Sequence, residues 1–249
     1  MNSATPFVRT DKKDLELKQL EDRLLCHGYW HGNYFDNILE DHSLVSTWSD
    51  LANTWNDLPA DEFMADGGKY RKRRFSEFRY DVLDGKLNYI PHSPFFQGAD
   101  INYLNGGVDR KFHSLTPFVA NHELIKEMTS SYALRFYRIT GERRWRVFIH
   151  QVRITAAGGL AGLPTPEGVH KDGVTFSTLL CVKRSSNCVG AENIIYDNNK
   201  KSIYECLLSD PGELVIFDDQ KVYHSVNKLY SRSDIDATRD MLFLEFTAI

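Results

Sequence analysis

The chain has 249 residues, 42% of them hydrophobic and 26% charged, with 30 Lys plus Arg against 34 Asp plus Glu and a net charge of −4. That composition excludes a disordered or collagen-like chain, and the slight acidic excess argues against a dedicated nucleic-acid binder, which carries a basic surplus. No apolar run approaches the ~18–20 residues of a membrane span, and the opening MNSATPFVRTDKKD has no apolar targeting segment; the expectation is a soluble, cytoplasmic protein with no membrane partner.

The first half reads as helical. In residues 11–26, Leu17, Leu20 and Leu24 follow the three-four spacing of one helix face, and Gly28 offers a stop. A second helix is expected over 43–56, with Ser43 as N-cap, Leu44, Trp48, Leu51 and Trp55 along one side, and Pro59 beyond its end. Residues 66–116 are rich in turn formers, with DGGKYRKRRF, PHSPFF and NGG as punctuation. The run Lys69 to Arg74 is short, has acidic neighbours and merges into the β-like stretch RRFSEFRYDV, so it reads as a solvated or pocket-lining basic strand. A third helix is expected over 118–133, using Leu124, Ile125 and Met128.

From about residue 145 the pattern turns to β. RWRVFIHQVRIT, GVTFSTLLCV, AENIIYD, GELVIFDD, KVYHSV and DMLFLEFTA are short, rich in β-branched and aromatic residues, and divided by Gly, Pro, Asn or Asp. No helices alternate with them, which disfavours a doubly wound parallel sheet and favours a sandwich or barrel such as a jelly roll. The organisation expected is one domain over 1–249: a helical elaboration over 1–65 and a β core over 66–249 with one inserted helix. Cys26, Cys181, Cys188 and Cys206 are scattered and form no C-x-x-C pair, so a disulfide scaffold is not expected.

The chemistry concentrates in the β half. His170 and Asp172 in EGVHKDG are two residues apart, which on an extended strand points both side chains to one face. His224 follows in KVYHSV. Two imidazoles and one carboxylate on one face of a metal form the facial triad of non-haem Fe(II) oxygenases, which leaves three positions open. H-x-D alone is a weak signal, equally met by a turn aspartate beside a hydrogen-bonded histidine. The context adds Arg239, 15 positions after His224 and entering the last strand. A buried Arg is costly unless it meets an anion, and its planar fork suits a carboxylate.

The strings DGGKYRKRRF, IPHSPFFQ, LNGGVDRKF, IHQVRI, PTPEGVHKDG, ENIIYD, FDDQKVYHSV and RDMLFLEF together resemble the family of Fe(II)/2-oxoglutarate dioxygenases that includes bacterial L-isoleucine 4-hydroxylase and related free amino-acid hydroxylases. The resemblance runs from about residue 60 to the C-terminus. It implies a double-stranded β-helix (jelly-roll, cupin-like) core, with His170, Asp172 and His224 as iron ligands and Arg239 as anchor for the distal carboxylate of 2-oxoglutarate. The implied cofactor and co-substrates are Fe(II), 2-oxoglutarate and dioxygen. The implied reaction couples decarboxylation of 2-oxoglutarate to succinate with hydroxylation of an unactivated C–H bond of a free L-amino acid, with no catalytic residue beyond the metal ligands. Where the family pattern often has Gly-Gly-Glu, this chain reads Gly190-Ala191-Glu192, a departure that concerns a turn. A zwitterionic substrate needs a carboxylate partner, for which Gln151 and Arg153 are candidates, and an ammonium partner, for which Glu167 is the candidate. Two other readings stay open: a cupin-like metalloenzyme that does not use 2-oxoglutarate, and a non-catalytic β-sandwich binding module.

Overall fold

A computed structural model of the chain describes residues 12–99 and 101–249; the N-terminal segment read for a targeting signal, and Asp11 of the first expected helix, lie outside them. Helix α1 (Lys12–His27) is followed by the short strand β1 (Tyr29–Asn33) and the turn α2 (Tyr34–Asn37). The second expected helix is broken into a 3-10 turn over His42–Thr47, α3 (Trp48–Asn53) and another 3-10 turn over Thr54–Asp57. Hydroxyl groups explain the break: Ser46, Thr47 and Thr54 each donate to the carbonyl three residues back, which favours the tighter winding. The cap is Asp41, which accepts from the Ser43 N–H, rather than Ser43 itself.

Strands β2 (Arg71–Asp81) and β3 (Lys86–Tyr89) form a hairpin. A long loop then leads to α4 (Pro117–Ala120) and α5 (Glu123–Thr140). Helix α5 outruns its expected end because nothing breaks it before Gly141, which caps it at φ +80°. The remaining strands are β4 (Arg144–Ala156), β5 (Phe176–Arg184), β6 (Cys188–Gly190), β7 (Asn193–Tyr196), β8 (Ser202–Cys206), β9 (Glu213–Asp218), β10 (Tyr223–Val226), β11 (Leu229–Ser231) and β12 (Ala237–Ala248). Among the described residues the main sheet has seven strands in the order β1-β9-β5-β12-β4-β2-β3, and its pairs are antiparallel. Smaller sheets of β10-β7-β8 and β11-β6 complete the jelly roll. The helical reading of residues 1–65 misses β1, which pairs Tyr29 opposite Phe217 at the sheet's edge.

Strand alternation gives the main sheet two different faces. One carries Val147, Ile149, Leu242, Leu244 and Phe246 and meets Leu17, Leu20, Leu24, Leu51, Trp55, Leu124, Ile125, Met128 and Phe136 from the helices. The Trp55 indole N–H reaches the carbonyls of Val152 and Met241, both at 3.2 Å, fixing the N-terminal segment across the β4–β12 seam. Phe136 stacks on Phe176 with centroids 4.1 Å apart and planes 7° from parallel. Phe136→Ala is expected to cost about 3–5 kcal/mol of stability, read as a lowered urea midpoint, because the side chain is fully buried. The other face of the sheet lines a cavity. In the turn between β6 and β7, Ala191 is held at φ +61°, a conformation that glycine would adopt without strain, so the departure from Gly-Gly-Glu is indeed a matter of backbone geometry.

Candidate active site

The cavity opens between the inner face of the main sheet and the small β10-β7-β8 sheet. His170 and His224 sit directly opposite each other and exchange both backbone hydrogen bonds, each at 3.0 Å. That pairing turns both imidazoles the same way, with ring centroids 4.2 Å apart. Asp172 joins them from the loop ahead of β5. Its Oδ1 lies 3.5 Å from His170 Nε2 and 3.7 Å from His224 Nε2. One donor atom from each of the three lies within 4.8 Å of the others.

Neighbouring groups hold this geometry. His170 Nδ1 lies 2.9 Å from the Gly168 carbonyl and donates to it, which makes Nε2 the nitrogen that faces the cluster. Ser177 Oγ donates to Asp172 Oδ2 at 2.6 Å, leaving Oδ1 for the cluster. The Asp219 carboxylate accepts from the backbone N–H groups of Asp172, Gly173 and Val174. It thereby fastens the H-x-D loop to the turn that precedes His224. Gly173 closes that loop at φ +83°, with the side chain of Ile101 where a Cβ would point.

The electrostatics follow from burial and from Asp172. Burial alone would lower His170, but the hydrogen bond and charge of Asp172, followed by Glu167, raise it to about 9. Burial takes His224 down to about 3 despite Asp172. Asp172 itself is held far below the usual carboxylate range: burial opposes this, and the two histidines overcome it. Burial and the nearby Asp172 push Asp219 up to about 6 and raise Glu245 well above its ordinary value. A divalent cation among the three side chains would take over the Asp172 charge and displace the His170 proton. Two imidazoles and one carboxylate, with open space on the cavity side, suit Fe(II).

Arg239 enters the same cavity from β12. Its side chain is 1% exposed, Nη2 donates to Asn193 Oδ1 at 3.1 Å, and Nε has no partner. No carboxylate of the described residues lies within 4 Å of it, that of its chain neighbour Asp240 included, because Asp240 points to the other face and pairs with Arg153. Met241, Phe243 and Glu245 share its face, as strand alternation predicts. Glu167 also lines the cavity, with Oε1 3.6 Å from His170 Nε2 and 3.3 Å from the Asn102 amide, while Oε2 is unpartnered.

Gln151 and Arg153 are not brought to the site. They lie on the helix-facing side of β4, opposite in phase to His150, Val152 and Ile154. Gln151 donates to Thr54 Oγ1, and Arg153 pairs through Nε and Nη2 with Asp240 at 2.6 and 2.7 Å. Gln151 thus ties β4 to the N-terminal segment, and Arg153 ties it mainly to β12, with a further bond from Nη2 to Asn56 Oδ1 at 3.3 Å, which corrects their reading as substrate residues. The cavity's basic wall is built instead by Arg71 and Arg73 of β2 and by Arg110 of the long loop. Alternation within the basic run was the available signal for the first two; nothing local marked Arg110.

Fold and site together describe an iron-dependent oxygenase, and the sequence agrees. Residues 52–245 match the pattern of the 2OG-Fe dioxygenase family, and the chain belongs to that family. It is accordingly an Fe(II)/2-oxoglutarate-dependent dioxygenase, using iron, 2-oxoglutarate and dioxygen. Membership sets aside both the metalloenzyme without 2-oxoglutarate and the non-catalytic module. Over 185 residues the chain is 27% identical to a Bacillus thuringiensis L-isoleucine-4-hydroxylase, covering 72% of this chain and 76% of that one. Among solved structures it is similar to a bsmA homologue from Methylobium petroleophilum, with TM-score 0.81, 26% identity and 93% of each chain covered. It also shares its fold with IDO from Bacillus thuringiensis, at TM-score 0.78 and 21% identity over 94% of this chain and 99% of that one. Among the described residues no helix is long and apolar enough to cross a membrane.

Proposed function

We propose that the protein hydroxylates an unactivated C–H bond of a free L-amino acid, most simply an aliphatic one, as a single-domain enzyme of the cytoplasm. The observation that carries the site assignment is Arg239, a fully buried guanidinium with an unpartnered Nε in the same cavity as the His170, Asp172 and His224 cluster. The amino-acid reading is supported by the likeness to L-isoleucine-4-hydroxylase and by the unpartnered Glu167 Oε2. Four unpaired cysteine thiols suit a reducing compartment.

When bound, Fe(II) with 2-oxoglutarate and dioxygen supplies oxidation of a C–H bond coupled to formation of succinate and CO2. The chain's own residues supply place and orientation. His170, Asp172 and His224 hold the metal, with the Gly168 carbonyl and Ser177 hydroxyl fixing which atoms face it. Arg239 takes the distal carboxylate of 2-oxoglutarate in a charge-assisted bond. Glu167 receives the substrate ammonium. Leu179, Val226, Met241 and Phe243 supply apolar wall between these polar groups and limit water around the reacting carbon.

A panel of free L-amino acids, followed by succinate release, tests the reading. At least one is expected to stimulate succinate formation well above the background without substrate. Stimulation by a peptide, nucleobase or lipid, and by no free amino acid, would overturn it.

A further inference from the structure

We infer that Arg73 and Arg110 form a clamp for the carboxylate of the substrate, so that a free carboxylate is a condition of turnover; this rests on the amino-acid reading above and deepens it. Arg73 is 9% and Arg110 2% exposed, and both line the cavity. Their neighbour Arg71 is neutralised by Asp61 at 2.6 Å. They are not: no carboxylate of the described residues lies within 4 Å of either. Arg73 Nη2 is 2.9 Å from His150 Nδ1, and Arg110 Nη2 donates to Gln97 Oε1 at 2.6 Å. Both partners are uncharged, since burial and the two arginines keep His150 neutral. The Nε of each arginine has no partner at all.

Two desolvated guanidinium groups with no carboxylate in contact are costly to bury, since Asp61 and Glu245 act on them only from a distance, and an anion relieves that cost. Phe95 and Phe112 present ring faces to both arginines at 4.5–5.6 Å, a support that fixes the planar forks for bidentate bonding. The clamp is separate from Arg239. Arg73 pairs across β2 and β4 with Val152, and Val152 pairs across β4 and β12 with Met241, so a full strand lies between the two basic positions. 2-Oxoglutarate would be held by the His170, Asp172 and His224 cluster at one end and by Arg239 at its distal carboxylate; the clamp serves the separate carboxylate of the substrate. Gln97 joins the clamp to the metal loop, because its amide N–H donates to the Asp172 carbonyl at 3.0 Å while its oxygen accepts from Arg110.

The test uses the iron-loaded enzyme with five matched sets of probes: L-amino acids, their N-acetyl derivatives, the corresponding 2-hydroxy acids, the carboxamides and the decarboxylated amines. Every compound that drives succinate formation is expected to carry a free carboxylate. Arg73→Met and Arg110→Met are each expected to raise KM for that compound roughly ten- to a hundredfold, with Arg110→Lys falling between. The 2-oxoglutarate concentration that half-saturates the anaerobic iron charge-transfer band is expected to stay within about twofold, because β4 separates the Arg73 strand from the Arg239 strand. Carboxamides or amines as effective as the acids would overturn the clamp, even if the variants fail to fold. So would variants that weaken 2-oxoglutarate instead of substrate. Turnover of N-acetyl or hydroxy acids, and of no amino acid, would uphold the clamp and overturn the amino-acid reading; no active compound in any set would count against both.

Discussion

Asp172→Ala is expected to lose both iron and turnover while the β core stays folded. The substitution removes the anionic member of the cluster and leaves two imidazoles, one of them held near a pKa of 3 by burial. Losing an outer partner of a metal ligand typically costs ~10–100-fold in affinity or activity, so losing the charged ligand itself should exceed that range. The carboxylate contributes no apolar packing. Its backbone N–H, held by Asp219, is retained in alanine, and Ser177 can turn its hydroxyl elsewhere. Iron retained after gel filtration, succinate yield and the thermal midpoint together check this. A variant that keeps wild-type iron and still makes succinate would show that the cluster is not the metal site.

Arg239→Met should weaken 2-oxoglutarate roughly ten- to a hundredfold, corresponding to the about 1.5–3 kcal/mol of a charge-assisted hydrogen-bond pair. Arg239→Lys keeps the charge but loses the planar fork and should fall between wild type and Met. Iron affinity should hardly move in either, because the guanidinium bonds Asn193 and not the ligand cluster. Titrating 2-oxoglutarate into the anaerobic iron enzyme separates the two effects. An unchanged half-saturation in both variants would remove Arg239 from the co-substrate site.

The cluster and Arg239 were legible because each is carried by a local string whose spacing has geometric meaning. H-x-D puts two donors on one side, and strand alternation gives Arg239 the same face as Met241, Phe243 and Glu245. The wall of the cavity was legible only in part. Alternation puts Gln151 and Arg153 together but does not say which side of β4 they occupy. That strand is buried on both faces, so Val147 and Ile149 on one and Val152 and Ile154 on the other give no polar side to fix the phase. The basic run was readable as a pocket-lining strand, yet Arg110 joins it through a loop crossing that no local pattern encodes. Strand β1 was missed for a similar reason: YWHGN carries a glycine at its fourth position and little alternation, and its strand character comes from pairing with β9, far along the chain.

The long, unbroken register of β2, β4 and β12 limits how such an enzyme can change its preferences. Arg71 to Asp81 pair without a slip against Ile154 to Arg144, and Ala237 to Ala248 against Ala156 to Trp145. Inserting or deleting one residue in any of these strands would exchange its two faces, setting apolar helix contacts against the cavity and driving arginines into the helix layer. Divergence toward new substrates is therefore confined to exchanges at every second position, such as Val152, Ile154 and Phe243, and to length changes in the loop that carries Arg110. An engineer seeking altered selectivity would randomise those three positions and that loop, and leave the strand lengths untouched.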